Sequence, residues 1–272
     1  MQKVISKDGT TIAYDQTGHG PAIIMVGGAL SWRNFPPAIQ LAGLLAFHFT
    51  VINYDRRGRG DSSDTQPYAV EREIEDIAAL IDAVGGSAYV YGISSGAALA
   101  MYAAAVGLNI KKLALYEPPF VAVDKSAHQP PANYQGQLKA LIAADRRGDA
   151  IKFFINKIMG APIFIVWIVR LMPMWKQLKA VAHTLPYDMS IVGNCELPQA
   201  VSSISIPTLV IGGEKSPIGL RHAVRAVAGA IPNARQRELK GQNHNVSMPV
   251  LAPVLDEFFR ESHSTTIPSG VF

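Results

Sequence analysis

Ser94 stands in Gly92-Ile93-Ser94-Ser95-Gly96, between a short apolar and aromatic run, Tyr89-Val90-Tyr91, and an Ala-rich run from Ala97. Strand before, sharp turn, helix after: this is the setting that holds a serine hydroxyl exposed as a nucleophile. The glycines have a physical role. The turn brings the strand end close to the first helical turn, and side chains at 92 and 96 would clash there. Ser94 then sits near the positive end of the following helix. The plainer alternative is a glycine-bounded turn whose serine only caps that helix. A serine nucleophile needs a base to take its proton. His244 suits that task, because a neutral imidazole is available near neutral pH. It lies in a loop, Gly241-Gln242-Asn243-His244-Asn245, that follows a β-prone run. The other histidines lack such a setting, although His183 is placed where it could touch a substrate. Two carboxylates stand near strand ends as candidate partners for the base, Glu117 and Glu214.

These residues are far apart in the chain, so alternating strands and helices must bring them together. Ala22–Val26 is a continuous apolar run, as expected for a strand buried on both faces. Phe49–Tyr54, Lys112–Tyr116, Pro207–Ile211 and Arg235–Leu239 read as further strands, and the chain up to Tyr14 reads as an edge hairpin around Lys7-Asp8-Gly9. Helices are predicted over 35–46, 70–84, 216–230 and 250–261. The second is the clearest: Ile74, Ile77, Ala78, Ile81 and Val84 share one face, and Gly85-Gly86 ends it. Strand–helix alternation implies a mostly parallel sheet with helices on both faces. Ligands of such sheets bind at the carboxyl ends of the strands. Ser94, Glu117, His244 and the Gly28-Ala29 pair each follow a strand. Asp55-Arg56-Arg57-Gly58-Arg59-Gly60-Asp61-Ser62 reads as a compact loop whose acids bond backbone amides and the neighbouring arginines.

The alternation breaks from about 121 to 203. Pro-rich joints separate helical stretches there, as in an inserted cap, and residues 263–272 read as a loose tail. Within the insertion, Ile163–Val169 with Leu171, Met172, Met174 and Trp175 is apolar nearly all round. Trp167 and Trp175, with Leu30 and His183, are therefore the candidate substrate contacts.

Composition narrows the function classes. The chain has 272 residues, 49% hydrophobic and 17% charged, with a net charge of +4 and one cysteine. That excludes disorder and leaves nucleic-acid binding without a basic, aromatic-interleaved stripe. One thiol, Cys195, allows no intramolecular disulfide and no cysteine-based zinc site. The apolar run at 163–169 is too short to span a bilayer, and the first residues lack an apolar signal core. The expectation is a cytoplasmic protein acting on a small molecule, without nucleic acid or membrane, and with a homodimer left open.

The strand ending Val26-Gly27-Gly28-Ala29, the 55–62 loop, Gly92–Gly96 and Gly241–His244 together resemble the α/β-hydrolase superfamily over nearly the whole chain. The closer likeness is to esterases and lactonases, including the zearalenone-lactonase type. The resemblance implies an α/β-hydrolase fold: a mostly parallel eight-stranded sheet flanked by helices, core 1–120 and 204–262, helical cap 121–203. It implies a Ser94–His244–acid triad, an oxyanion hole from the backbone N–H groups of Ser95 and Ala29, and no metal or cofactor. The chain departs from the family at the acid. The usual turn after Pro207–Ile211 holds Ser216, which reads as a helix N-cap before Pro217. Glu117, at the alternative position used by the zearalenone-lactonase type, keeps the order Ser, acid, His; Glu214 is the second candidate. The expected activity is hydrolysis of a fairly apolar ester or lactone. The rivals are a C–C hydrolase or cofactor-free perhydrolase on the same scaffold, or a non-catalytic binding protein.

Overall fold

Eight strands form in the computed structural model, which describes residues 1–124 and 128–261; the central ones are short, buried, mostly apolar runs, whereas the two at the sheet edges are largely exposed. They are β1 (Gln2–Ile5), β2 (Thr11–Thr17), β3 (Ala22–Val26), β4 (Thr50–Tyr54), β5 (Ala88–Ile93), β6 (Ile110–Tyr116), β7 (Thr208–Gly213) and β8 (Ala234–Leu239). One sheet contains all of them, in the order β1-β2-β4-β3-β5-β6-β7-β8. β2 runs antiparallel to both of its neighbours; every other pairing is parallel. The chain leaves β3 to one side for β4, then crosses back to place β5 on the other side. This reversal opens a crevice at the carboxyl ends of β3 and β5, where open sheets bind ligands. Ser94 directly follows β5.

Helices cover both faces. α1 (Pro36–Leu45) and α10 (Met248–Arg260) pack Leu41, Leu45, Leu251, Leu255 and Phe258 against one face of the sheet. α2 (Val70–Ala83), α3 (Ser95–Ala105) and α9 (Ile218–Ala230) pack Ile77, Leu80, Leu99, Val224 and Val227 against the other. α3 is Ala-rich because it is enclosed. Ala97, Ala98, Ala100 and Ala103 have no exposed surface, and larger side chains would hold the helix away from the sheet. α9 begins at Ile218, two residues later than the sequence predicts, because Ser216 is engaged elsewhere.

Between β6 and β7 lie α4 (Tyr134–Ala143), α5 (Arg147–Phe153), a π-turn over Phe154–Ile158, α6 (Ile163–Leu171), α7 (Trp175–Val181) and α8 (Leu185–Val192). They share a core of their own built from Leu138, Ile151, Phe154, Val166, Leu178 and Leu185. Leu30 and Trp32, in the loop after β3, pack against that core and seal the seam beneath it. Ile191 and Val201 already pack into the cluster under α3. The tail expected over 263–272 lies outside the described residues.

Glycine is required where backbones meet. A Cβ at Gly96 would lie 2.3 Å from the Val26 carbonyl oxygen and 2.6 Å from that of Gly27, and neither backbone can swing aside as a side-chain tip could. Gly43, inside α1, faces open space. Gly96→Ala should therefore destabilise the fold by about 1–3 kcal/mol through overpacking. Gly43→Ala should stabilise it by about 0.5–1 kcal/mol through helix propensity. Denaturant melts of the two variants check this; equal effects would refute the packing account.

Candidate active site

The backbone at Ser94 is held at φ 56°, ψ −127°, a region that residues with side chains rarely occupy. Three contacts impose it. A Cβ at Gly92 would strike the Gly96 carbonyl oxygen at 2.6 Å, one at Gly28 would lie 3.1 Å from the Ser94 Cβ, and Gly96 lies against β3 as described. The Ser94 N–H donates to the Tyr116 carbonyl at 2.9 Å, which ties the turn to β6. Its carbonyl accepts from Ala97 and Ala98 and starts α3. The hydroxyl makes no capping bond, so the plainer role weighed for Ser94 is not the one it plays. The first N–H groups of α3 have no acceptor within the helix, and Ser95 supplies one of them beside the hydroxyl.

Glu117 follows β6 with φ 47° and has no exposed surface. Its Oε2 lies 2.7 Å from His244 Nδ1. Its Oε1 accepts from the Gly213 N–H at 2.7 Å and from the Ser216 hydroxyl. Ser216 is thus no helix cap; it donates to the carboxylate, from the very turn where the family usually carries the acid. Glu214 is turned away. It is exposed, and its Oε2 accepts from the Gly241 N–H at 2.7 Å. The His244 loop is fixed at two further points. The buried Tyr116 hydroxyl donates to the Asn243 carbonyl at 2.7 Å, and the Lys215 N–H donates to the Gln242 carbonyl at 2.8 Å. With Nδ1 on Glu117, the other ring nitrogen is the one free to serve the pocket. Among the described residues Ser94 Oγ and the ring are not hydrogen-bonded to each other; such bonds are often long before substrate binds.

Two adjoining cavities of about 190 and 230 Å³ meet at Ser94, and both are lined by Ala29, Ser94, Phe154, Met159 and His244. The first continues under Pro119, Val192, Cys195 and Ile218. The second runs along Gly28, Leu30, Leu41 and Tyr91. Leu30, a candidate substrate contact from the sequence, is among the residues lining the second cavity. Trp167, Trp175 and His183 line neither cavity. α6 turns Val166 inward, and Trp167, one residue on, points to solvent at 61% exposure. Trp175 packs within the cap against Gly148. His183 Nδ1 lies 3.0 Å from the Ala180 carbonyl. A uniformly apolar segment does not announce which face it will bury, and the cap residues that do face the pocket include Phe154, Ile158, Met159, Met189 and Val192.

Sequence reasoning also missed Asp188, on α8. It is fully buried, and its oxygens meet Arg56 at 2.6 Å, Arg59 at 2.8 Å and the Ser95 hydroxyl at 2.8 Å. Arg59 continues to the Gly28 carbonyl at 2.6 Å and Arg56 to that of Gly27 at 3.3 Å, while Glu73 holds Arg56 from behind with two contacts of 2.7 Å. One cap carboxylate thus grips the residues on both sides of the candidate oxyanion hole. The only signal in the sequence was a lone Asp in a long stretch without acids. Burial pushes its pKa up, but the Arg59 and Arg56 guanidiniums outweigh burial and hold it below the usual carboxylate range. Asp188→Asn leaves two buried guanidiniums short of a counter-charge and should cost about 3–5 kcal/mol. The folded-state pKa is depressed, so this stabilisation is full above the unfolded value, about 3.9, and is lost as pH falls through the folded value. Wild type should therefore lose more stability than the variant between about pH 5 and pH 3 in denaturant titrations; parallel losses would refute the charge assignment.

A family model described as the alpha/beta hydrolase family matches residues 19–256. An alpha/beta hydrolase of known structure from Sphaerobacter thermophilus is 53% identical, covers 95% of this chain and 100% of its own, and superposes with a TM-score of 0.90. A provisionally named non-heme bromoperoxidase, BpoC, of Mycobacterium tuberculosis is 25% identical over 239 residues, 86% of this chain and 90% of that protein. A pimeloyl-[acyl-carrier protein] methyl ester esterase of Xanthomonas campestris is 26% identical over 235 residues, 85% of this chain and 90% of that protein. The sheet order, the strained serine after β5 and the length of these matches agree, and the chain belongs to the alpha/beta hydrolase family.

Proposed function

We propose that the protein is a serine hydrolase that cleaves a carboxylic ester or lactone of a modest-sized, fairly apolar molecule through an acyl-enzyme. The observation that carries this reading is the 2.7 Å contact between Glu117 and His244 Nδ1 at a pocket that Ser94 also lines. His244 takes the Ser94 proton as Oγ attacks the carbonyl carbon. The Ser95 and Ala29 N–H groups receive the oxyanion. The tetrahedral intermediate collapses, and the imidazolium gives its proton to the departing alkoxide. Water then repeats the sequence on the acyl-enzyme, freeing the acid and the serine. Glu117 holds the ring in the correct tautomer and offsets its charge while it is protonated. The Gly213 N–H and the Ser216 hydroxyl, both donating to the other carboxylate oxygen, hold the buried side chain oriented toward the ring. The apolar lining from Phe154, Met159, Val192 and Ile218 favours an uncharged substrate.

A second reading has one observation behind it, the bromoperoxidase-named relative. Hydrogen peroxide would replace water at the acyl-enzyme and leave as a peracid. It uses the same triad and the same first half-reaction, so it is separated by product analysis with peroxide present. The esterase-named relative favours water as the ordinary acceptor.

Ser94→Ala should remove hydrolysis of p-nitrophenyl esters and labelling by a fluorophosphonate; retained turnover would overturn the mechanism. Glu117→Gln should lower kcat by up to about four orders of magnitude, with a smaller change in KM. Glu214→Gln should leave kcat near wild type. Steady-state kinetics that reversed these two results would move the acid to Glu214.

A further inference from the structure

α6 is apolar on both sides, and only one side is used. Val166 is buried in the cap core, with Ile165 and Val169 packed beside it. The opposite side carries Ile163, Phe164, Trp167, Ile168 and Leu171, all exposed, with Leu171 87% exposed. These residues recur at i, i+4 and i+8, so they form one continuous stripe. Neither cavity at Ser94 touches the stripe, so a bound substrate would not cover it.

Charge indicates what does. The chain has no Asp or Glu from 150 to 187, whereas Lys152, Lys157, Arg170, Lys176 and Lys179 are all exposed. Arg170 is on α6 itself, over the Trp167 ring at 5.4 Å. Lys157 lies in the π-turn and Lys176 at the start of α7, the two segments packed against α6. The nearest upstream acids, Asp145 and Asp149, are paired with Arg147 and Arg146. A two-fold contact between copies would set this basic border against itself. An anionic lipid surface meets both halves of the pattern, with acyl chains for the stripe and headgroups for the cations. We propose that the cap docks through α6 on an anionic bilayer surface, lying in the interface without crossing it. No helix among the described residues is long and apolar enough to cross a membrane, and lying on one requires only a single apolar face. The proposal does not depend on the chemistry at Ser94.

The test is sedimentation of the full-length protein with vesicles of phosphatidylcholine alone and with about a third phosphatidylglycerol. The expected result is binding to the anionic vesicles, at least tenfold weaker on the neutral ones and weakened by added salt. Phe164→Glu with Leu171→Glu should lose that binding while still hydrolysing a water-soluble ester as wild type does. Both side chains are exposed, so the variant should fold, and circular dichroism checks that it does. Absence of binding to either vesicle, equal binding to both, or binding retained by the folded variant would each overturn the proposal. So would a concentration-dependent dimer in sedimentation velocity that the same substitutions abolish, which would make a second copy the occupant.

Discussion

Backbone contact at Gly96 governs the rest of the molecule. The first turn of α3 touches the end of β3 at the Val26 and Gly27 carbonyls, with no side chain between them. That contact fixes the spacing of the loop after β3 from the loop after β5. Ser94 is driven into a rare backbone region, and its neighbour's N–H is set beside the turn that carries Ala29. Neither requirement could be met with any larger residue at 92 or 96. The strain at Ser94 is compensated by the buried alanines of α3 and by the ladder bond to Tyr116.

Charge is the second constraint. The arginines of the 55–62 loop are buried, and each is satisfied by carboxylates: Arg57 by Asp76 and Asp8, Arg56 by Glu73 and Asp188, Arg59 by Asp188. Asp55 closes the same loop, accepting from the Arg33 and Asp61 N–H groups. A buried pair is weak evidence for stability, since desolvation offsets much of the attraction. Its value here is geometric. The guanidiniums also reach the Gly27 and Gly28 carbonyls, so the cap and the loop after β3 keep one relative placement.

What could be read beforehand divides along physical lines. The central strands are legible as continuous apolar runs, because both of their faces are buried, and the 70–83 helix as an apolar face at helical spacing. Ser94 and His244 were legible because their loops have glycine signatures. Glu117 was nameable as a candidate, but its preference over Glu214 depends on which carboxylate faces the ring, a matter of three dimensions. Ser before Pro is a sound local cap signal, but at Ser216 the buried carboxylate that follows β6 takes the hydroxyl instead. Asp188 stands out in the sequence only as a lone acid, and its role is hidden because its partners lie more than ninety positions away. Trp167 faces solvent rather than the pocket because α6, apolar on every side but for Arg170, has no polar face to set its rotation.

The acid's location has a consequence for how the site can fail. The Ser94 N–H is bonded to Tyr116, the residue before Glu117, so the hydroxyl and the carboxylate ride on two adjacent rungs of a single ladder. Only the imidazole arrives on a separate, glycine-bearing arm. That arm is tied down by the Tyr116 hydroxyl on the Asn243 carbonyl and the Lys215 N–H on the Gln242 carbonyl, so losing those two bonds would swing the ring off Glu117 while the sheet stayed intact.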